Sequence, residues 1–95
     1  MVALISVSDA KQQLLIEHDE QDAFLAAKAE EATDIVIGYL KKPNHGWTEE
    51  TAPPRVRSAI LLVLGVLYRD REGQTNPLTD AVKALLWRDR DPALA

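Results

Sequence analysis

Residues Ala59 to Tyr68 are ten apolar positions in succession, and no other stretch of this chain constrains its fold as tightly. A helix that is apolar on every side requires cover on every side. A bilayer would supply it, but a span takes about 20 residues, and this run is closed by Arg55 and Arg57 before it and by Arg69, Asp70 and Arg71 after it. The cover must therefore be protein. The run is expected to form the central helix of the domain, or to lie between its own neighbours and another subunit. The rest of the chain offers little material for that purpose. It has 95 residues and no cysteine, and a chain of that size buries only about 60–65% of its unfolded surface, enough for one core. Residues 1–95 are expected to be a single domain, with no disulfide or thiolate-bound metal to reinforce it.

Helical spacing recurs on both sides of this run. Ser8 is expected to cap a helix of about two turns that carries Leu14, Leu15 and Ile16. Asp19 stands three residues before Asp22, an acidic form of the capping-box spacing, which predicts the start of a long helix there. Leu25, Ala29, Ala32, Val36 and Leu40 make its apolar stripe, and the alanines let a neighbouring helix approach closely. Gly38 weakens the last turn by about 1 kcal/mol relative to alanine. From Lys41 to Arg55 the text changes to a connection that holds Pro43, Pro53, Pro54 and Trp47. Connections of that length without their own secondary structure are usually functional or mobile, and the indole argues against mobility. Tryptophan is enriched at interfaces, so Trp47 is expected to contact an adjacent subunit or another protein; a lid folded over its own core is the competing account. Pro53 or Pro54 is expected to open the third helix, which then runs through Glu72 and stops at Gly73. Asn76 and Pro77 read as N-cap and first residue of a short fourth helix carrying Leu78, Val82, Leu85 and Leu86. Residues 1–6 and 89–95 are expected to fray, and the five-residue apolar run before Ser6 is too short for a secretory signal. The expected fold is all-α: a small bundle of two short and two long helices, with a long proline-containing loop between the long ones.

Charge and spacing narrow the function classes. Fifteen Asp and Glu against eleven Lys and Arg leave a net charge of −4, which excludes a strongly basic nucleic-acid module. Residues 1–34 hold eight acids and two bases, whereas residues 55–95 hold seven bases and five acids. A dipolar subunit of this kind can stack on its own copies, and two solvated helix faces of unlike composition account for it equally well. Glu17 and Glu20, with Glu31 and Asp34, echo the paired carboxylates that hold magnesium in all-α nucleotide pyrophosphohydrolases. Read as continuous helix from Glu20 to Glu31, the pairs would stand about 16 Å apart along one rod, which argues for a solvated face and leaves that enzyme a remote alternative. His18 and Asp22 share a four-residue spacing but lack a third ligand, and His45 has no implied catalytic partner. No phosphate-loop, dinucleotide, serine-hydrolase or zinc-protease motif is present. Arg55, Arg57, Arg69, Arg71, Arg88 and Arg90 suit bidentate pairing with carboxylates, within the chain or across subunits, better than phosphate steering; nucleic acid and plain solubility stay open for them.

The order of these features resembles a known family. Val7-Ser8 before Leu14-Leu15-Ile16, then His18-Asp19, Asp22, Leu25, Ala29, Ala32, Ile35 and Tyr39-Leu40, is similar to the first half of the small head-tail connector proteins of tailed bacteriophages, often labelled DNA-packaging or adaptor proteins. Pro54, Val56 and Ala59-Ile60-Leu61-Leu62, closing with Leu67-Tyr68-Arg69-Asp70-Arg71-Glu72, resembles that family's proline-initiated apolar helix. Leu85-Leu86 and Arg88 resemble its carboxyl-terminal signature, with Trp87 where a Pro-Tyr pair commonly stands. The resemblance implies a structural virion protein without enzymatic activity or cofactor, made in the host cytoplasm. It implies a ring of copies, dodecameric by analogy with portals, that sits between the portal and a tail-side head-completion protein. DNA would pass through the ring without specific binding, and no membrane is involved. Trp47, Tyr68, Arg69, Arg71, Trp87 and Arg88 are the expected interface residues. A small helical regulatory or antitoxin-like interaction module is the alternative.

Overall fold

The computed structural model describes residues 3–41, 45–70 and 72–87. Within them the chain forms four helices and no strand: α1 (Val7–Leu14), α2 (Asp22–Leu40), α3 (Pro54–Arg69) and α4 (Asp80–Leu86). This is the small all-α bundle, two short helices and two long, that the periodicity predicts.

The helix ends show where local chemistry outran the sequence pattern. Ser6, not Ser8, caps α1: its hydroxyl accepts from the Asp9 N–H at 3.0 Å, and the Ser6 N–H donates to Asp9 Oδ2 at 3.1 Å. This reciprocal box satisfies two amide groups at once, which Ser8 alone would not do. α2 begins at Asp22, three residues after Asp19, and its N-cap Gln21 makes no side-chain capping bond. Asp19 and Asp22 instead hold the Lys11 ammonium at 2.5 and 2.6 Å, so the acids expected to cap α2 tie it to α1. Pro54 occupies the first turn of α3 as expected, but α3 stops at Arg69 rather than running to Gly73. Asp70 leaves the helix, and its carboxylate accepts from the Thr75 N–H to close a turn in which Gly73 takes φ +74°. α4 likewise starts late. Asn76 Oδ1 accepts from the Leu78 N–H at 3.0 Å in a local turn, and Thr79 becomes the cap, accepting from the Val82 N–H at 3.3 Å. Asparagine serves either role, and here the turn wins.

The core forms around one side of α3. Val56, Ala59, Ile60, Val63 and Leu64 meet Ala29, Ala32, Val36 and Leu40 of α2, Val82 and Leu86 of α4, and Ala10 of α1. Leu4 and Ile5 join this core at 1% exposure, so residues 3–6 do not fray; Met1, Val2 and residues 89–95 lie outside the described residues. The Leu4 N–H donates to Thr33 Oγ1 at 3.2 Å, and the Thr33 hydroxyl donates to the Ala29 carbonyl at 2.8 Å. One buried threonine therefore fixes the amino-terminal segment against α2. The apolar run is not covered all round by its own subunit, because Leu61, Val66, Leu67 and Tyr68 are half-buried and Leu62 is 38% exposed. The other three described helices cover only one side of α3.

Replacing Thr33 with valine keeps the shape but removes the acceptor for a buried N–H. Leaving such a donor unsatisfied costs about 1–3 kcal/mol, so Thr33→Val should lower the urea midpoint accordingly, while Thr33→Ser, which retains the hydroxyl, should move it much less.

Candidate functional site

The expected interface residues do not converge on one site. Tyr68 and Arg69 lie at the carboxyl end of α3, where both are engaged within the subunit. The Tyr68 hydroxyl donates to Gln21 Oε1 at 2.7 Å, and its ring meets Phe24 edge-to-face with centroids 6.1 Å apart. Arg69 folds back along its own helix, and its Nε donates to the Gly65 carbonyl at 3.1 Å. A Cβ at position 65 would stand 3.4 Å from the Arg69 Nη2, so the guanidinium lies close over Gly65. Trp87 stands at the other end of the bundle, at the cap of α4, and is 62% exposed. It lines a shallow groove of about 370 Å³ with Arg55, Ala84 and Leu85. Arg71 and Arg88 fall outside the described residues.

Trp47 is half-buried and packs against the core, the arrangement that the lid account describes. Its backbone N–H donates to His45 Nδ1 at 2.8 Å, and the two rings are 5.3 Å apart and tilted by 31°. Just beyond it the loop has its own structure: the Ala52 N–H reaches the Thr48 carbonyl at 2.9 Å, and the Thr48 N–H donates to Thr51 Oγ1 at 2.8 Å. His45 thus orients Trp47 instead of standing alone in an irregular connection.

Of the arginines, Arg57 realises the intra-chain pairing, with Nη2 3.0 Å from Asp9 Oδ2. The Asp9 carboxyl is held below the usual carboxylate range, chiefly by the Ser6 backbone N–H, then by the Ser6 hydroxyl and Arg57, against partial burial. Lys11 is shifted up and Asp19 down by their mutual hydrogen bond.

The carboxylate pairs do not share one continuous helix. Glu20 lies in the turn before α2, not on a continuous helix with Glu31, and Glu17, Glu20, Glu31 and Asp34 are all exposed. Glu31 takes Lys28 Nζ at 2.9 Å. His18 is also in that turn, so it and Asp22 do not share a helix face. No group of three or more His, Asp or Glu placed to hold a metal ion occurs among the described residues.

Two features escaped the sequence reading. Gln21 was silent because a polar residue beside a helix start has no distinctive spacing. Leu15 was read as part of the first helix, yet it closes α1 at φ +58° with 89% of its surface exposed. Three apolar residues in a row, Leu14 to Ile16, cannot all face one core from a helix end, and that was the available signal.

The family model for the phage gp6-like head-tail connector protein matches residues 4–84 of the chain. No curated protein and no solved structure matches it.

Because Asp9 titrates below an ordinary aspartate, whose value is about 3.9, its contribution to stability is complete above that pH and is lost as the pH falls through its lowered folded value. Urea midpoints at pH 7 and pH 3 should therefore fall further for the native chain than for Asp9→Asn. Truncating Trp47 to alanine should destabilise the isolated subunit by about 2 kcal/mol, below the range for a fully buried tryptophan, as read from the same unfolding curves.

Proposed function

The chain belongs to the phage gp6-like head-tail connector family, and from that premise we propose that it assembles as a closed ring of copies that carries the DNA channel from the portal to the next tail-side protein. The coarser role follows from membership: it is a structural component of the phage virion that associates with head and tail parts. No helix among the described residues is long and apolar enough to cross a membrane.

The observation that carries the ring reading is the outer side of α3. Leu62 is 38% exposed, and Leu61, Val66 and Leu67 are only half-buried, on the helix with the longest apolar run in the chain. A contact with a second subunit would complete that cover. Copy number is dodecameric by analogy with portals. The net charge of −4 suits a channel through which DNA slides, because like charge suppresses phosphate contacts. Trp87 and the exposed edge of Trp47 are proposed interface positions. Arg71 and Arg88 are proposed interface positions from sequence alone, and Tyr68 and Arg69 would take part through the end of α3 that they order. The protein is proposed to act without catalysis and without a cofactor.

Sedimentation of the purified chain across a concentration series separates this reading from a regulatory module. A single large closed species, or its appearance when portal protein is added, is the expected result; a monomer or dimer unchanged at high concentration and on portal addition would contradict it. Nucleoside triphosphates with magnesium should release no pyrophosphate, and Glu31→Gln should change nothing in that assay.

A further inference from the structure

Trp47 is placed by a hydrogen bond that a single proton abolishes. Between α2 and α3, His45, Gly46 and Trp47 make a closed turn, in which the Trp47 backbone N–H donates to His45 Nδ1 at 2.8 Å and the two rings lie 5.3 Å apart. An imidazole nitrogen accepts a hydrogen bond only while it carries no proton; in the charged ring both nitrogens are donors. The bond therefore exists only with neutral His45. Imidazole is also the side chain whose charge changes between about pH 5 and pH 8.

The loop around this bond is arranged so that one side chain can move while the rest stays in place. Gly46 joins the two residues at φ +71°, with open space where a Cβ would stand, and so takes up backbone rotation that other residues resist. Beyond Trp47 the chain is anchored independently: the Thr48 N–H donates to Thr51 Oγ1 at 2.8 Å, and the Ala52 N–H to the Thr48 carbonyl at 2.9 Å. Rotation is thus confined between Gly46 and Thr48, and the half-buried indole on the core moves with it.

Charges nearby do not compensate for the lost bond. The loop itself carries Glu49 and Glu50, α2 ends in Lys41, α3 begins with Arg55 and Arg57, α1 carries Asp9 and Lys11, and α4 carries Asp80 and Lys83. Glu50 accepts from the Thr48 hydroxyl at 3.0 Å, Asp9 holds Arg57, and Lys11 is held by Asp19 and Asp22. Among the described residues no carboxylate forms an ion pair with His45. A charged ring would still be attracted to the indole. Two donors cannot remain 2.8 Å apart, however, so that attraction persists only if the Trp47 N–H turns away.

We propose that His45 is a pH-sensitive latch on the Trp47 lid: neutral, it holds the indole against the core; protonated, it releases the turn and exposes the indole to solvent. The lid is closed above the range in which imidazole titrates and opens as the pH falls through it. The device lies within one subunit and does not depend on assembly.

Trp87→Phe leaves Trp47 as the only indole in the chain, so its emission and its quenching by acrylamide report the lid. In that background, lowering the pH from about 8 to about 5 should shift the emission maximum to longer wavelength and raise the quenching constant roughly two-fold, with helical circular dichroism unchanged. His45→Asn retains an acceptor for the N–H two residues on but gains no charge, and it should stay closed throughout. His45→Ala has no acceptor and should be open throughout. His18→Gln, at the second of the two histidines, should leave the shift intact. An emission maximum that does not move, a shift retained by His45→Asn or by His45→Ala, or a shift abolished by His18→Gln would overturn the proposal. So would a shift that tracks loss of the helical signal, because the subunit would then be unfolding.

Discussion

A helix whose apolar surface exceeds what its own subunit can cover is the constraint on which this structure turns. α3 buries Val56, Ala59, Ile60, Val63 and Leu64 completely, and it does so because α2 presents Ala29 and Ala32 at the contact, small enough for the two backbones to draw close. Close approach makes a dense core from little material, and the described residues leave the far side partly open, where Leu62 is 38% exposed.

With so small a core, a few polar contacts carry the relative placement of the helices. Thr33 ties the amino-terminal segment to α2, the Asp9–Arg57 pair ties α1 to α3, and Tyr68 with Gln21 ties the end of α3 to the start of α2. Each joins residues far apart in sequence, and the buried Thr33 bond also satisfies an N–H that would otherwise lose water without replacement. Together they hold α3 in one orientation, so that the same residues always face outward. A surface that recurs identically on every copy is what an assembly of copies requires.

The long helices and their faces were legible in the sequence because spacing alone determines them: Leu25, Ala29, Ala32, Val36 and Leu40 are all buried as their periodicity predicts. Helix ends were not, because Ser6 against Ser8, or Thr79 against Asn76, are near-equal choices decided by which side chain finds a second partner. The fold places the proposed interface residues unequally. Trp87 is exposed, Tyr68 and Arg69 bond within the subunit, and Trp47 packs against the core. Composition marks an aromatic or an arginine as valuable, and only the fold shows to whom. Leu15 was invisible because its backbone conformation, not its identity, makes it unusual.

Family membership and the physical reading meet at the same conclusion, that this chain acts by being built into a larger object. Electron microscopy of particles from the phage that encodes it, with a stop codon placed early in this gene, tests that most directly. The account predicts filled heads and separate tails that fail to join, restored when the intact protein is supplied. Normal numbers of tailed, infectious particles without the protein would contradict it.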